Sequence, residues 1–266
     1  ELLNRHLYRT VMQEIIQSIV FIAAAILHGI TGMGFPMLGT TALAFIMPLS
    51  KVVALVALPS LLMSLLVLCS NNKKGFYQEI VYYLKTYKLL AIGSVVGSIL
   101  GVKLLLILPV SWLFLLMAVI TLYYSVNGIL NVCAKAKNIQ VVANNKNMVL
   151  FGFLAGIIGG STNAMSPILL IFLLSETEDK NRIAKASNLC YLLAKIVQIY
   201  MLKDQYLLLS KSEYGLIFLL SVLSIIGLYV GIWLRAKISP NFFKMLIFIV
   251  LLVLALKIGH SGLIKL

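Results

Sequence analysis

Carboxylates are what this sequence has least of: 8 Asp and Glu stand against 22 Lys and Arg in 266 residues, for a formal net charge of +14. Glu1, Glu14, Glu79, Glu176, Glu178, Asp179, Asp204 and Glu213 all fall in polar stretches or near the ends of apolar ones. None is placed as a midmembrane proton relay or sodium ligand would be. Cysteine is equally sparse. Cys69, Cys133 and Cys190 are far apart with no CxxC pair, which excludes a disulfide framework or a zinc site. His6, His28 and His260 are scattered too, so no metal and no cofactor is expected. Charged residues make up only 11% of the chain, against about a quarter in a soluble domain.

What is there instead is apolar. Hydrophobic residues account for 61% of the chain and the mean hydropathy is +1.04. This composition belongs in lipid and leaves no room for a soluble domain beside the membrane part. Residues 1–266 are therefore expected to form one transmembrane transport domain. The surplus positive charge sits mostly in loops flanking apolar runs, where it serves topology and headgroup contact rather than nucleic-acid binding. The first apolar run, about Ile15 to Leu27, has a signal-like Ala23-Ala24-Ala25. Its counterpart near Met148 to Ile158 cannot be a signal, so the run is expected to be the first membrane helix.

That counterpart belongs to a repeat. Pro36, Ala54, Gly97, Gly101, Pro109 and Gly128 recur in the same order as Pro167, Ala184, Gly227, Gly231, Pro240 and Gly259, at an offset of 130 or 131. Four of the 6 prolines take part, which argues against chance. A doubled, strongly apolar chain with helix breakers at matching places is the signature of a secondary transporter. The fold expected is all-α and integral to the membrane, with two inverted-topology repeats of about five helical segments each, over about 11–131 and 148–260.

The segments are roughly 11–31, 35–49, 51–70, 87–108 and 110–131, then 148–160, 164–175, 183–202, 214–235 and 241–260. A span needs about 20 apolar residues. The segments 35–49 and 164–175 fall short, follow a glycine-rich break and begin close to a proline, so each is either a full crossing or a re-entrant helix. The basic loops 71–88 (Lys73, Lys74, Lys85, Lys88), 132–147 (Lys135, Lys137, Lys146) and 235–244 (Arg235, Lys237, Lys244) are expected inside. The loop 203–213 is expected outside, as are both termini. The acidic stretch 175–182 fits least well, because this scheme places it inside. Gly97-x-x-x-Gly101 and Gly227-x-x-x-Gly231 read as close helix packing in lipid.

The two breaks carry the chemistry. The first runs from His28 through Thr31, Gly32 and Gly34 to Pro36; the second from Gly156 through Gly160, Ser161, Thr162, Asn163 and Ser166 to Pro167. Interrupted backbone at membrane depth must find protein, water or ligand. A helix start with proline in its first turn turns N–H groups and the positive dipole end into the gap. Two such starts facing each other near the midplane would suit an anion, and glycines would admit it to the backbone. Lys195, deep in the segment 183–202, would either add its ammonium to this pocket or snorkel to the interface. Lys185, nearer the end of that helix, is expected to snorkel. Ser187, Asn188 and Gln198 could complete a polar wall, and His28 could donate to an anion or cap a carbonyl.

At these residues the chain resembles the TauE/SafE family of sulfite and organosulfonate exporters. The likeness lies in two halves that each open with a glycine-rich break and Pro-x-Leu, here Gly29 to Leu38 and Gly156 to Leu169. A helix rich in small residues follows in each, Ala54 to Ser64 and Ala184 to Ala194. Where a Gly-Gly-Gly run is common in the family, this chain has Met33 and Ser161-Thr162-Asn163. The resemblance implies multi-pass transport of small sulfur-containing anions, outward from the cytoplasm, in the cell membrane of a bacterium. The partners implied are the anion and membrane lipids; oligomeric state is not read from the sequence. Alternatives from other classes are a channel-like facilitator, a thiol-redox conduit and an intramembrane hydrolase. The redox reading needs repeat-related cysteines, whereas Cys190 matches Ser60 and Cys69 matches Ile199. The hydrolase lacks a carboxylate to orient His28.

Overall fold

The apolar runs are cut by polar residues placed where helix ends need partners. Asn144 accepts from the Asn147 N–H at 2.8 Å, and Asp179 from those of Asn181 and Arg182 at 2.9 and 3.3 Å. Ser210 and Glu213 form a reciprocal capping box, with each side chain accepting from the other's backbone N–H. A computed structural model describes residues 2–43, 47–70, 75–134 and 141–264.

Twelve helices are present among them: α1 (Leu2–Thr31), α2 (Phe35–Leu43), α3 (Leu49–Cys69), α4 (Phe76–Thr86), α5 (Lys88–Ile107), α6 (Val110–Ala134), α7 (Asn145–Thr162), α8 (Ser166–Glu176), α9 (Lys180–Met201), α10 (Lys203–Leu207), α11 (Lys211–Lys237) and α12 (Pro240–Ile264). No strand occurs among the described residues. Leu49–Cys69, Lys88–Ile107, Lys211–Lys237 and Asn241–Ile264 are each long and apolar enough to cross a membrane. The outer surface is itself apolar: Trp112, Val119, Phe218, Trp233 and Leu256 are all more than half exposed. A soluble protein could not leave these in water, so this is an all-α integral membrane protein. Each of the ten sequence segments holds a helix, the segment 35–49 only as Phe35–Leu43, with 44–46 outside the described residues. The short α4 and α10 were not expected; they fall in stretches read as loops.

Packing follows the repeat. α1 lies along α11 and α5 along α7, each pair joining one half of the chain to the other. A β-carbon added at Gly231 would stand 2.7 Å from the Gly29 Cα, and one at Gly97 would stand 3.0 Å from the Gly156 Cα. The absence of side chains is what lets these backbones touch. Gly227 meets α1 near Ala25 and Gly231 meets it at Gly29, so α1 and α11 run parallel; Gly97 and Gly101 meet α7 in the same sense. α3 packs on α9 and α6 on α12, each helix on its own counterpart.

Contacts between loops define two ends of the molecule. The Val141 N–H donates to Ser175 Oγ at 3.2 Å, Tyr87 donates to Glu176 at 2.7 Å, and Lys180 donates to the Arg235 carbonyl at 3.0 Å. Hence 75–88, 141–145, 175–182 and 235–244 share one end, the grouping expected from the basic loops. Lys73, Lys74, Lys135 and Lys137 lie outside the described residues. At the opposite end Lys51 pairs with Glu213 at 2.6 Å and Tyr206 donates to the Ala54 carbonyl at 2.6 Å. The acidic stretch ceases to be a misfit at the basic end. Glu176 pairs with Arg182 at 2.6 Å, Glu178 pairs with Lys244, and Asp179 caps α9.

The short helices are re-entrant. α2 has 9 residues and α8 has 11, about 14 and 17 Å of helix against a hydrocarbon core of about 30 Å. α1 reaches toward the basic end, where Arg235 meets it, yet α3 begins at the other end beside Glu213. α2 must therefore turn back. α7 starts at the basic end, stops at Asn163, and α8 returns to that end at Glu176. The two hairpins thus enter from opposite ends of the molecule.

Candidate functional site

Each hairpin turn opens with a left-handed residue, and these two correspond in the repeat. Gly32 has φ 78° and Asn163 has φ 64°, the one non-glycine residue at positive φ among the described residues. The preceding threonines correspond as well: Thr31 donates to the Leu27 carbonyl and Thr162 to that of Ile158, both at 2.7 Å. Thr31 also donates to the Met33 carbonyl at 3.2 Å, which holds the turn. Thr162 makes further contacts as well. The breaks are narrow. Gly156, Gly159, Gly160, Ser161 and Thr162 are wound into α7, and Gly29 and Thr31 into α1, so only 32–34 and 163–165 leave the helix.

Gly160 corrects an expectation. A β-carbon on it would lie 3.0 Å from the Ser98 Cα and 3.1 Å from the Gly101 Cα, so its bare face serves packing on α5. Gly34 is different. It has φ 97°, it is buried, and no atom stands within 4 Å of where its β-carbon would be.

Both hairpin turns dock on α9. Asn188, Tyr191, Lys195 and Gln198 recur at intervals of three and four, which puts them on one face of that helix. Asn188 Nδ2 donates to the Gly32 carbonyl at 2.9 Å and to that of Ala184 at 2.8 Å. Its Oδ1 is thereby left to accept from His28 Nε2 at 2.9 Å. Tyr191 donates to Ser166 Oγ at 2.7 Å, at the start of α8. Lys195 Nζ donates to Asn163 Oδ1, and to Gln198 Oε1 at 2.6 Å. Gln198 Nε2 donates to the Gly159 carbonyl and Asn163 Oδ1 at 2.9 Å, and to the Gly160 carbonyl at 3.1 Å. Asn163 Nδ2 reaches Thr40 Oγ1 of α2 at 2.7 Å.

The result is a buried polar track of three hydrogen-bonded groups spaced along α9. His28, Thr31, Ser161, Thr162, Asn163, Ser166, Ser187, Asn188 and Lys195 are all buried. The two turns do not meet face to face, as the sequence suggested. They sit seven residues apart along α9, from Asn188 to Lys195, or about 10 Å. Ser161 spends its hydroxyl on the Ile157 and Ile158 carbonyls at 2.9 and 3.2 Å.

Lys195 does not snorkel. It is 3% exposed, and its partners are neutral amide oxygens; among the described residues no carboxylate pairs with it. Lys185 does not snorkel either, contrary to expectation: it is equally buried and ion-paired with Glu79 of α4. Arg235, read as a loop charge, is 1% exposed in the last turn of α11. Its Nε donates to the Gly29 and Ile30 carbonyls at 2.8 and 3.1 Å, closing the C-terminal end of α1. The signal for it was Gly231 one turn earlier, on the face that touches α1. Nothing in the sequence marked Thr40.

At the basic end, outside the spans, Arg182 Nε donates to Tyr87 Oη at 2.7 Å while Tyr87 donates to Glu176 at the same distance. Burial pushes the Tyr87 phenol well above its ordinary range, and the Glu176 carboxylate pushes it further. The Lys244 ammonium holds the Glu178 carboxyl below its ordinary value. Cys69 and Cys133 are exposed and Cys190 is buried; all three are free.

Comparison with curated proteins and with solved structures returns no match. A family model described as Sulfite exporter TauE/SafE matches residues 18–258, a span that takes in both hairpin turns, the polar face of α9 and three of the four long apolar helices whole, with most of the fourth. The chain belongs to the TauE/SafE sulfite exporter family.

Proposed function

We propose that this protein exports small anions, sulfite or organosulfonates such as sulfoacetate, from the cytoplasm by alternating access. The observation that carries the reading is Lys195: a buried amine held by the amides of Asn163 and Gln198, with no carboxylate paired with it among the described residues. Burying an uncompensated charge costs several kcal/mol. An anion seated at the second turn offsets that cost, and Asn163 and Ser166 add polar contacts around it. The corresponding positions 58, 61, 65 and 68 of α3 are all Leu, so the polar face of α9 is not something the repeat needs to fold.

The repeats 11–131 and 148–260 then form a single transport domain in the plasma membrane of a bacterium, with the basic end in the cytoplasm. A monovalent anion leaving an inside-negative cell gains about 2.3 kcal/mol per 100 mV, so export can run on the membrane potential.

The test is efflux of labelled sulfite from proteoliposomes under an imposed inside-negative potential. Lys195→Met is expected to lower the rate by about tenfold to a hundredfold, the worth of a charge-assisted hydrogen bond. An unchanged rate in a folded Lys195→Met protein would overturn the assignment of this site.

A further inference from the structure

The carrier reading uses one buried cation, and the structure holds a second beside the other turn. Arg235 reaches α1 because Gly231, one turn earlier on the same face of α11, lets the two backbones touch. Its Nε and Nη2 are spent on the Gly29 and Ile30 carbonyls, but Nη1 is buried without a hydrogen-bond partner. In the adjoining residue, His28 Nδ1 is likewise buried and unpartnered, its Nε2 being committed to Asn188. Two orphaned polar atoms on neighbouring side chains are a costly arrangement for a fold to keep unless something meets them.

Capping α1 does not account for it. The position corresponding to Arg235 in the first half is Leu105, and that corresponding to Lys195 is Leu65. The equivalent helix end, that of α7, is closed by neutral Gln198 on the Gly159 and Gly160 carbonyls. A guanidinium is therefore more than the cap requires. Arg235 has no ion pair among the described residues, and its unpartnered Nη1, an NH2 group, can donate to an oxyanion oxygen. His28 Nδ1 accepts from the O–H of a protonated oxyanion when the ring is neutral, and donates to an unprotonated one only when the ring is charged.

We propose that Arg235 and His28 form a second oxyanion subsite at the first turn, distinct from Lys195 and about 10 Å from it along α9. The ligand class rests on the anion-carrier reading; the existence of a separate station does not follow from that reading. An anion entering from the basic end meets Arg235 first and Lys195 second, so the track has two stations of like charge and, among the described residues, no acid between them.

Equilibrium binding of labelled sulfite to purified protein in nanodiscs separates the cases. The wild type is expected to bind about two sulfites per chain, and Arg235→Leu and Lys195→Met about one each. Arg235→Gln guards against misfolding, because its amide can still donate to the Gly29 carbonyl while the charge and Nη1 are gone; it too should bind about one. A wild type that binds one sulfite, with Arg235→Gln binding as tightly, would overturn the second subsite and leave the carrier reading intact. No sulfite bound by the wild type would overturn both.

Discussion

Gly32 and Asn163 stand at corresponding positions of the two halves and share a left-handed backbone, at φ 78° and 64°. One bears no side chain and the other bears the amide that Lys195 holds. The repeat has kept the turn and changed what the turn presents.

Substitutions at these two positions separate backbone from side chain. A left-handed conformation costs an ordinary L-residue about 1–2 kcal/mol. Asn163→Ala is therefore expected to be less stable than Asn163→Gly in thermal unfolding of the purified protein, the reverse of the order in a helix interior. Gly32→Ala should be worse than either, since its β-carbon would stand 2.5 Å from Ala184. Equal melting temperatures for the two Asn163 variants would contradict the turn geometry.

The glycine contacts make a second contrast. Gly97→Ala pushes a methyl group against α7, where the Ile157 nitrogen would be 2.9 Å away. It should lose about 1–3 kcal/mol through overpacking. Gly215→Ala in α11 meets nothing within 4 Å, and removing glycine from a helix interior should gain about 0.5–1 kcal/mol. Monodisperse yield and melting temperature read both, and opposite signs are the expected result.

The native cysteines report sidedness. Cys69 closes α3 and Cys133 lies near the end of α6; both are exposed, and both helices run toward the basic end. A membrane-impermeant maleimide should label both from the cytoplasmic side only, in inside-out vesicles, and leave Cys190 unmodified. Labelling of the two from opposite sides would break the proposed topology.

The sequence carried the helices well because each is a run of apolar residues closed by its own neighbours, such as Asp179 or Ser210. Both turns were legible from glycine and proline, but the depth of Lys195 in an apolar segment left the pocket and the interface equally open to its side chain. What could not be read were relations between distant segments. Arg235 in a last helical turn and a lysine in a loop look alike until α1 is laid beside α11. Lys185 resembles any interfacial lysine until α4 brings Glu79 to it. Gly160 looked like a place for a ligand, and only the approach of α5 shows that a helix fills it. Whether a short segment crosses or turns back depends on how much of it is wound into helix, and the 9 residues of α2 and 11 of α8 fall short of a crossing.

The pairing of α1 with α11 and of α5 with α7 sets a limit on how such a molecule can change shape. Because each half of the chain lends a helix to the other, and glycine backbones lock the lent helices in place, the boundary between repeats is not a hinge. Whatever parts when the track opens to one side must part along a seam crossing both halves, with the exchanged helices travelling alongside their hosts.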